Sequence, residues 1–171
     1  GLEAQVGQWP SFLPSGLVNL GLDLRGGAHL LAEVQVQDVY ESRLQAMWPE
    51  VRDLLREERD QIGTIRLQRT QGAELRVRLN QKPEMVERAA ELVRGLARPV
   101  VTLTGAGSSD IDVTVEGPDF VITLSEAERL ATDDRTVKQA LEIIRRRIDE
   151  VGTREPTIQR QGEDRILIQV P

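Results

Sequence analysis

The sequence predicts an α+β fold, in which a mostly antiparallel sheet carries helices on one face. Pairs of short segments whose apolar residues alternate at period two recur along the chain, as expected of strands with one buried face. Longer segments between them repeat apolar residues at steps of three and four, which is typical of amphipathic helices. Hydrophobic residues make up 39% of the 171 residues and aromatic residues 3%, so the predicted core consists of aliphatic side chains.

The first alternating pair spans residues 19–34, on either side of the glycine pair Gly26-Gly27. A helical pattern follows over residues 40–58. Pro49 lies inside this pattern, where it removes one backbone hydrogen bond and crowds the preceding turn. We therefore expect either a kink just before Pro49 or a break into two helices.

Residues 64–69 and 74–80 form a second alternating pair around a glutamine-glycine turn, which predicts a hairpin. Pro83 is suited to the first turn of a second helix, and residues 100–103 have the composition of a strand. Residues 17–104 therefore follow the order β-α-β-β-α-β, which is that of a ferredoxin-like arrangement.

The remainder predicts a β-β-α-β-β unit that extends this arrangement. Residues 111–124 form a hairpin pattern with its turn at residues 117–119. Ser125 followed by Glu128 matches a capping box at the start of a long helix. A last pair of strands is predicted over residues 157–170. Whether all strands join one sheet or form two is left open by the pattern.

The predicted domain organisation is a linker followed by a folded region. Residues 1–16 contain two prolines and three glycines without periodicity, as a linker would. Residues 17–171 are predicted to form the domain, with a division into 17–104 and 110–171 as the alternative. No segment approaches the roughly 18 consecutive apolar residues that span a bilayer. Because the chain stops directly behind a strand pattern, we expect the natural protein to continue beyond residue 171.

The composition argues against several kinds of site. The chain has no cysteine and a single histidine, His29, so neither a thiolate nucleophile nor a cysteine-based or histidine-rich metal site is expected. We predict no catalytic residues, no cofactor and no metal. Two alternatives stay open. One is an RNA-binding module whose basic face combines Arg66, Arg76 and Arg78 with Arg145, Arg146 and Arg147. The other is a small-molecule-sensing module with a metabolite in a helix-strand crevice. The net charge of −6 and the lack of aromatic residues in the central strands of the β-α-β-β-α-β order disfavour RNA.

Two blocks of sequence resemble a known family. Residues 19–34, NLGLDLRGGAHLLAEV, resemble the signature that opens the first periplasmic domain of the SecD/SecF family of protein translocase subunits. Residues 143–156, IIRRRIDEVGTREP, together with residues 159–162 and 164–166, resemble the helix and hairpin later in the same domain. The resemblance covers residues 17–171 and is loosest over residues 37–124. It implies that the chain is much of the ferredoxin-like base of that domain.

The resemblance also implies a function. Members of the family work with SecF beside the SecYEG channel and use the proton-motive force to complete export of unfolded preproteins. This chain would then be a non-enzymatic domain on the periplasmic side of the bacterial inner membrane, with residues 1–16 following a transmembrane segment of a multi-pass protein. The proton-carrying carboxylates of the family lie in transmembrane helices, so none is assigned here. Asp23, Arg25, Gly26 and Gly27 match the family motif and are expected to shape the base, with preprotein contact as the alternative.

A substitution at the glycine pair tests this assignment. Gly26→Val is expected to lower both the free energy of unfolding and the rate of export, because a turn that needs glycine does not accept a β-branched side chain. Urea unfolding of the purified chain and precursor processing in cells measure the two effects. A variant that unfolds like the wild type and loses export alone would contradict the shaping role and indicate a contact with the preprotein.

Overall fold

Two antiparallel sheets of four strands each, together with helices, make up the fold, which a computed structural model describes over residues 18–23, 28–101, 107–151 and 157–170. This confirms the α+β class. The strands are β1 (Val18–Asp23), β2 (Ala28–Val34), β3 (Ile65–Gln68), β4 (Leu75–Leu79), β5 (Pro99–Val100), β6 (Ser108–Ser109), β7 (Ile111–Glu116), β8 (Asp119–Leu124), β9 (Thr157–Gln161) and β10 (Arg165–Val170). The helices are α1 (Val36–Glu57), α2 (Arg59–Ile62), α3 (Val86–Arg94) and α4 (Glu126–Val151), and a 3-10 turn spans Pro83–Met85.

The chain divides into two compact units, and the division follows the two sheets. The first unit takes its described residues from Gly1–Val36 and Asp133–Pro171, and the second is Gln37–Thr132. The first contains β1, β2, β9 and β10, and the second contains β3, β4, β7 and β8. The described strands therefore do not join one sheet: they form these two sheets and a short two-stranded one of β5 and β6.

The sheet of the first unit has the order β1-β2-β10-β9, and all its neighbours are antiparallel. One face of β2 and β10 packs on α4, whose apolar residues recur at steps of three and four and so lie on one side of the helix. The buried residues of this core are Ala32, Val34, Val137, Ala140, Ile144, Ile166 and Ile168. Residues from both ends of the unit therefore form one core.

The predicted ferredoxin-like arrangement of residues 17–104 is not confirmed. Its first hairpin, β1 and β2, pairs with β10 and β9 and not with β3 and β4. The boundaries between the units lie at Val36 and Asp133, whereas the alternative prediction divided the chain between residues 104 and 110. The reason is that alternation reveals which face of a strand is buried but not which distant strand lies beside it.

The sheet of the second unit has the order β3-β4-β8-β7 and is also antiparallel. Its core face carries the alternating residues of β4 and β8, and α3 contacts β7 and β8. The buried apolar residues include Leu75, Val77, Leu79, Ala89, Ala90, Val93, Phe120, Ile122 and Leu124. The two predicted hairpins, β3-β4 and β7-β8, are both confirmed, and Gly72 and Gly117 have positive φ in their turns.

Pro49 does not divide the first helix. The helix α1 continues through Pro49 and ends at Glu57, so the predicted break at the proline is wrong. Pro49 and Gln45 are both exposed. Water can therefore satisfy the Gln45 carbonyl, which loses its helical partner at the proline. The predicted strand at residues 100–103 is reduced to β5, which pairs with β6, and residues 102–106 lie outside the described part of the chain.

Truncation of the central aromatic residue tests the core of the second unit. Phe120 is fully buried, so Phe120→Ala is expected to lower the free energy of unfolding by about 3–5 kcal/mol. Leu130→Ala is the control, because Leu130 is 51% exposed and its truncation should change stability by about 0.5 kcal/mol or less. Urea unfolding followed by circular dichroism measures both variants. Equal, small effects of the two substitutions would contradict this packing.

Candidate functional site

The four residues of the predicted motif belong to the connection between β1 and β2. Asp23 ends β1, and its backbone is in register with His29 of β2. Arg25, Gly26 and Gly27 lie outside the described residues. The antiparallel pairing of β1 with β2 requires the chain to reverse direction between Asp23 and His29. The role of the motif itself stays a prediction.

A buried carboxylate, Asp119, lies at the start of β8 and is held by two arginines of the neighbouring strand. Arg78 donates from Nε to Oδ1 at 2.7 Å and from Nη2 to Oδ2 at 3.1 Å. Arg76 Nη1 lies 3.5 Å from Asp119 Oδ2, and Arg76 Nη2 donates to Glu116 Oε2 at 2.6 Å. Hydrogen bonds from Arg78, aided by its positive charge, hold the pKa of Asp119 below its usual range, although burial acts in the opposite direction.

This ion-pair cluster bears on the RNA-binding alternative. Two of the six arginines proposed for a basic face, Arg76 and Arg78, are paired with Asp119 and Glu116, which offset their charge. Arg66 lies opposite Arg78 in the register and is exposed. The cluster therefore offers little net positive charge for a phosphate backbone.

Because Asp119 follows a glycine and a proline, the sequence predicts that it lies in the turn. The structure places the turn at Gly117 and Pro118 and makes Asp119 the first residue of β8. Burial of its carboxylate depends on arginines that lie about forty residues away in the chain, at sequence separations of 41 and 43. No local signal marks such a pair.

A second buried polar cluster joins α1, α4 and the segment before β7. The Arg43 guanidinium on α1 pairs with the carboxylate of Glu128 in the first turn of α4, and its Nη2 lies 3.8 Å from Asp110 Oδ2. Thr132 Oγ1 donates to Glu128 at 3.1 Å, and the backbone N–H of Arg98 donates to Asp110 Oδ1 at 2.8 Å. Each buried carboxylate thus has a charged or backbone partner, which is the arrangement of a structural cluster.

The predicted capping box forms only in part. Ser125 Oγ accepts a hydrogen bond from the Glu128 N–H at 3.1 Å, as predicted for the N-cap residue. In a complete capping box the backbone N–H of Ser125 would donate to the Glu128 side chain. Here this N–H donates to the Asp110 carbonyl at 3.0 Å. The Glu128 side chain instead forms an ion pair with Arg43, and no sequence pattern predicts this partner.

Within the described ranges, neither a group of metal ligands nor a membrane-spanning helix is found. Among these residues, no group of three or more His, Asp or Glu side chains is placed to hold a metal ion. Likewise, no described helix combines the length and the apolar composition that crossing a membrane requires.

An open cavity of about 450 Å³ lies between α1 and the β3-β4 hairpin. Glu41 and Gln45 of α1 form one side, and Leu67 and Gln68 of β3 together with hairpin residues 69–72 form the other. Leu67 is 39% exposed although it lies on the core face of its strand. The sequence does not predict this cavity. The cavity lies between two elements, and no local sequence pattern encodes the distance between them.

Comparisons with known proteins give a consistent result. A family model described as "Protein translocase subunit SecDF, P1 domain, N-terminal" matches residues 137–171. Protein translocase subunit SecD of Rhodobacter capsulatus is 57% identical over 169 residues, which cover 99% of this chain and 30% of that protein. The SecD proteins of Magnetococcus marinus and Rickettsia conorii are 33% and 36% identical, over 96% and 94% of this chain and 29% and 28% of their own lengths. No solved structure matches significantly. From the coverage of the three SecD proteins, this chain spans less than a third of the length of these curated relatives.

The acid sensitivity of the fold tests the Asp119 cluster. Because the folded-state pKa is lowered, ionised Asp119 stabilises the fold above the ordinary Asp pKa of about 4, and this contribution is lost as the pH falls through the lowered pKa. Asp119→Asn is expected to cost about 1–3 kcal/mol at neutral pH, the range of hydrogen bonds to charged groups. The difference from the wild type should narrow in acid.

Urea unfolding at a series of pH values measures this effect. Asp112→Asn is the matched control, since Asp112 lies on the neighbouring strand β7 and is exposed. A constant difference between Asp119→Asn and the wild type at every pH would contradict the stabilising ion pair.

Proposed function

This chain belongs to the SecD family of protein translocase subunits, and on that premise we propose that it serves as a periplasmic part of a SecD subunit that assists protein export. The observation that carries the proposal is the 57% identity with SecD of Rhodobacter capsulatus over 99% of this chain. The alignment that gives this identity covers both units and not only the residues 137–171 that match the family model. Protein translocation is therefore the process in which the whole chain takes part.

The proposed partners are SecF, the SecYEG channel and unfolded preprotein, and the proposed energy source is the proton-motive force. The charges of the described residues support a role outside the proton path. The three buried acids, Asp110, Asp119 and Glu128, lie beside arginines, as in structural ion pairs. A proton relay uses groups that gain and lose protons near the working pH, whereas hydrogen bonds from Arg78 lower the pKa of Asp119. We therefore assign proton transfer to other parts of the parent protein.

We assign Asp23, Arg25, Gly26 and Gly27 to the shape of the β1-β2 connection. The register that pairs Asp23 with His29 supports this assignment, because it leaves few residues for the reversal and glycine accommodates the tight backbone angles that such turns need. The neighbouring strand β2 pairs on its other side with β10. The connection would thus hold the edge strand β1 in place beside β2. The inner strands of this sheet, β2 and β10, carry the core of the first unit.

A chimeric protein tests the proposed function. The matching segment of Rhodobacter capsulatus SecD is replaced by this chain, and the chimera is produced in cells depleted of their own SecD. We expect the chimera to restore most of the processing of a pulse-labelled secretory precursor, because 57% of the aligned residues are unchanged.

The control chimera carries Phe120→Ala and is expected to restore less, since its second unit is destabilised. Immunoblotting establishes that the chimera accumulates to the normal level. A chimera that accumulates normally and leaves the precursor unprocessed would contradict the proposed function.

A further inference from the structure

We propose that the open edge of β3 and the cavity beside it bind an extended polypeptide segment, which adds to the sheet of the second unit as a further strand. This inference rests on the proposed function in one respect: a subunit that assists export meets polypeptides before they fold. The binding site itself is argued from the backbone of β3, from the exposure of Leu67 and from the composition of the cavity.

The backbone of β3 offers unused hydrogen-bonding groups on one side. Among the residues that the structure describes, the sheet order β3-β4-β8-β7 leaves β3 with a single neighbouring strand. The Asn80 N–H donates to the Thr64 carbonyl at 3.0 Å, so the pair formed by these two residues is a hydrogen-bonded one. In an antiparallel ladder such pairs alternate with non-bonded pairs.

The alternation determines which residues of β3 face the open side. Arg66 and Gln68, two and four residues after Thr64, direct their backbone groups towards β4. Ile65 and Leu67 lie between them, so their N–H and C=O groups point away from β4. An incoming strand could form up to four backbone hydrogen bonds with these two residues, as in other cases of strand addition.

The cavity lies where the side chains of an added strand would need space. Leu67 is on the core face of β3, opposite the buried Val77, yet it is 39% exposed because the cavity opens beside it. Alternate side chains of an added strand project to the same face of the sheet. An apolar side chain of the bound segment would cover Leu67, and Gln45 and Glu41 on α1 would border the opposite side.

The composition of the cavity favours recognition of the main chain over a particular sequence. Its charged side chains have both signs, with Glu41 and Glu74 against Arg69, and the amides of Gln45 and Gln68 can either donate or accept hydrogen bonds. Such a lining does not favour bound segments of one particular charge. A site of this kind suits segments that vary in sequence and share an extended backbone with apolar residues.

Amide hydrogen exchange measured by NMR on the 171-residue chain tests the proposal. The probe is ribonuclease A that has been reduced and capped with iodoacetamide, which keeps it unfolded. We expect the probe to slow exchange of the Ile65 and Leu67 amides at least several-fold, because these donors become hydrogen-bonded, whereas Arg66 and Gln68 are already bonded to β4. Native ribonuclease A is the matched control, since it has the same sequence in folded form and should leave all four amides unchanged.

Three outcomes would overturn the proposal: no slowing at Ile65 and Leu67 with the unfolded probe, equal slowing with native ribonuclease A, or slowing that appears without the probe and grows with the concentration of the chain. The last outcome would identify a second copy of the chain as the partner of β3.

A pair of substitutions at one position gives a second test. Leu67→Pro removes an outward-facing N–H and no hydrogen bond of the β3-β4 ladder, and proline is tolerated on edge strands in this orientation. Leu67→Val keeps both the N–H and an apolar side chain. Fluorescence anisotropy of the labelled, unfolded probe should show about tenfold weaker binding for Leu67→Pro and nearly normal binding for Leu67→Val. Equal binding by the two variants, with circular dichroism showing both folded, would overturn the proposal.

The two proposals can fail separately. If the unfolded probe does not bind β3 while the chimeric protein restores export, the chain acts in export without this groove. If the probe binds β3 as expected while the chimera fails, the groove binds polypeptides and the proposed function is the part that is wrong.

Discussion

The pairing of β2 with β10 is the constraint on which the first unit depends. It aligns Ala32 with Ile166 and so joins two segments separated by more than 130 residues of chain. Closing a loop of that length has an entropic cost, although this cost grows only slowly with loop length. Burial of the apolar faces of both strands against Val137 and Ile144 of α4 offsets it. Because this pairing is made, the segment Gln37–Thr132 forms a unit of its own with a separate sheet.

Charged side chains determine how the second unit is held together. Its buried acids come from three different elements, and each lies beside an arginine of another element: Arg78 at Asp119, and Arg43 at Glu128 and Asp110. A buried carboxylate without a partner would be strongly destabilising, so each of these arginines constrains the position of the strand or helix that carries it. Among these acids, Asp119 has its pKa lowered by hydrogen bonds from Arg78, which makes it unsuited to acid-base chemistry near neutral pH. The arrangement is consistent with a domain that acts by binding and position.

The family assignment and the groove come from different kinds of observation. The assignment follows from residues 19–34 and 143–156, which resemble family motifs, and from identity along the whole chain to SecD relatives. The groove follows from the structure alone, since Leu67 and Gln45 belong to different elements and neither lies in a motif. The two observations concern different units, because the motif turn belongs to the first and the groove to the second. A role of the whole chain in export would thus use both the motif turn of the first unit and the groove of the second unit.

Local sequence patterns predict most of the individual helices and strands of this chain. Periodicity predicted both hairpins of the second unit, the last hairpin of the chain and the long helix α4, and Ser125 was correctly predicted as its cap. These features depend on hydrogen bonds and side-chain faces within a few residues, which the local sequence specifies. Three features became visible only in the folded chain. Strand β2 lies beside β10, Asp119 is buried between two arginines, and an open cavity lies beside β3. Each of these depends on which distant segments come together, and that choice is made by the free energy of the whole fold and not by any one segment.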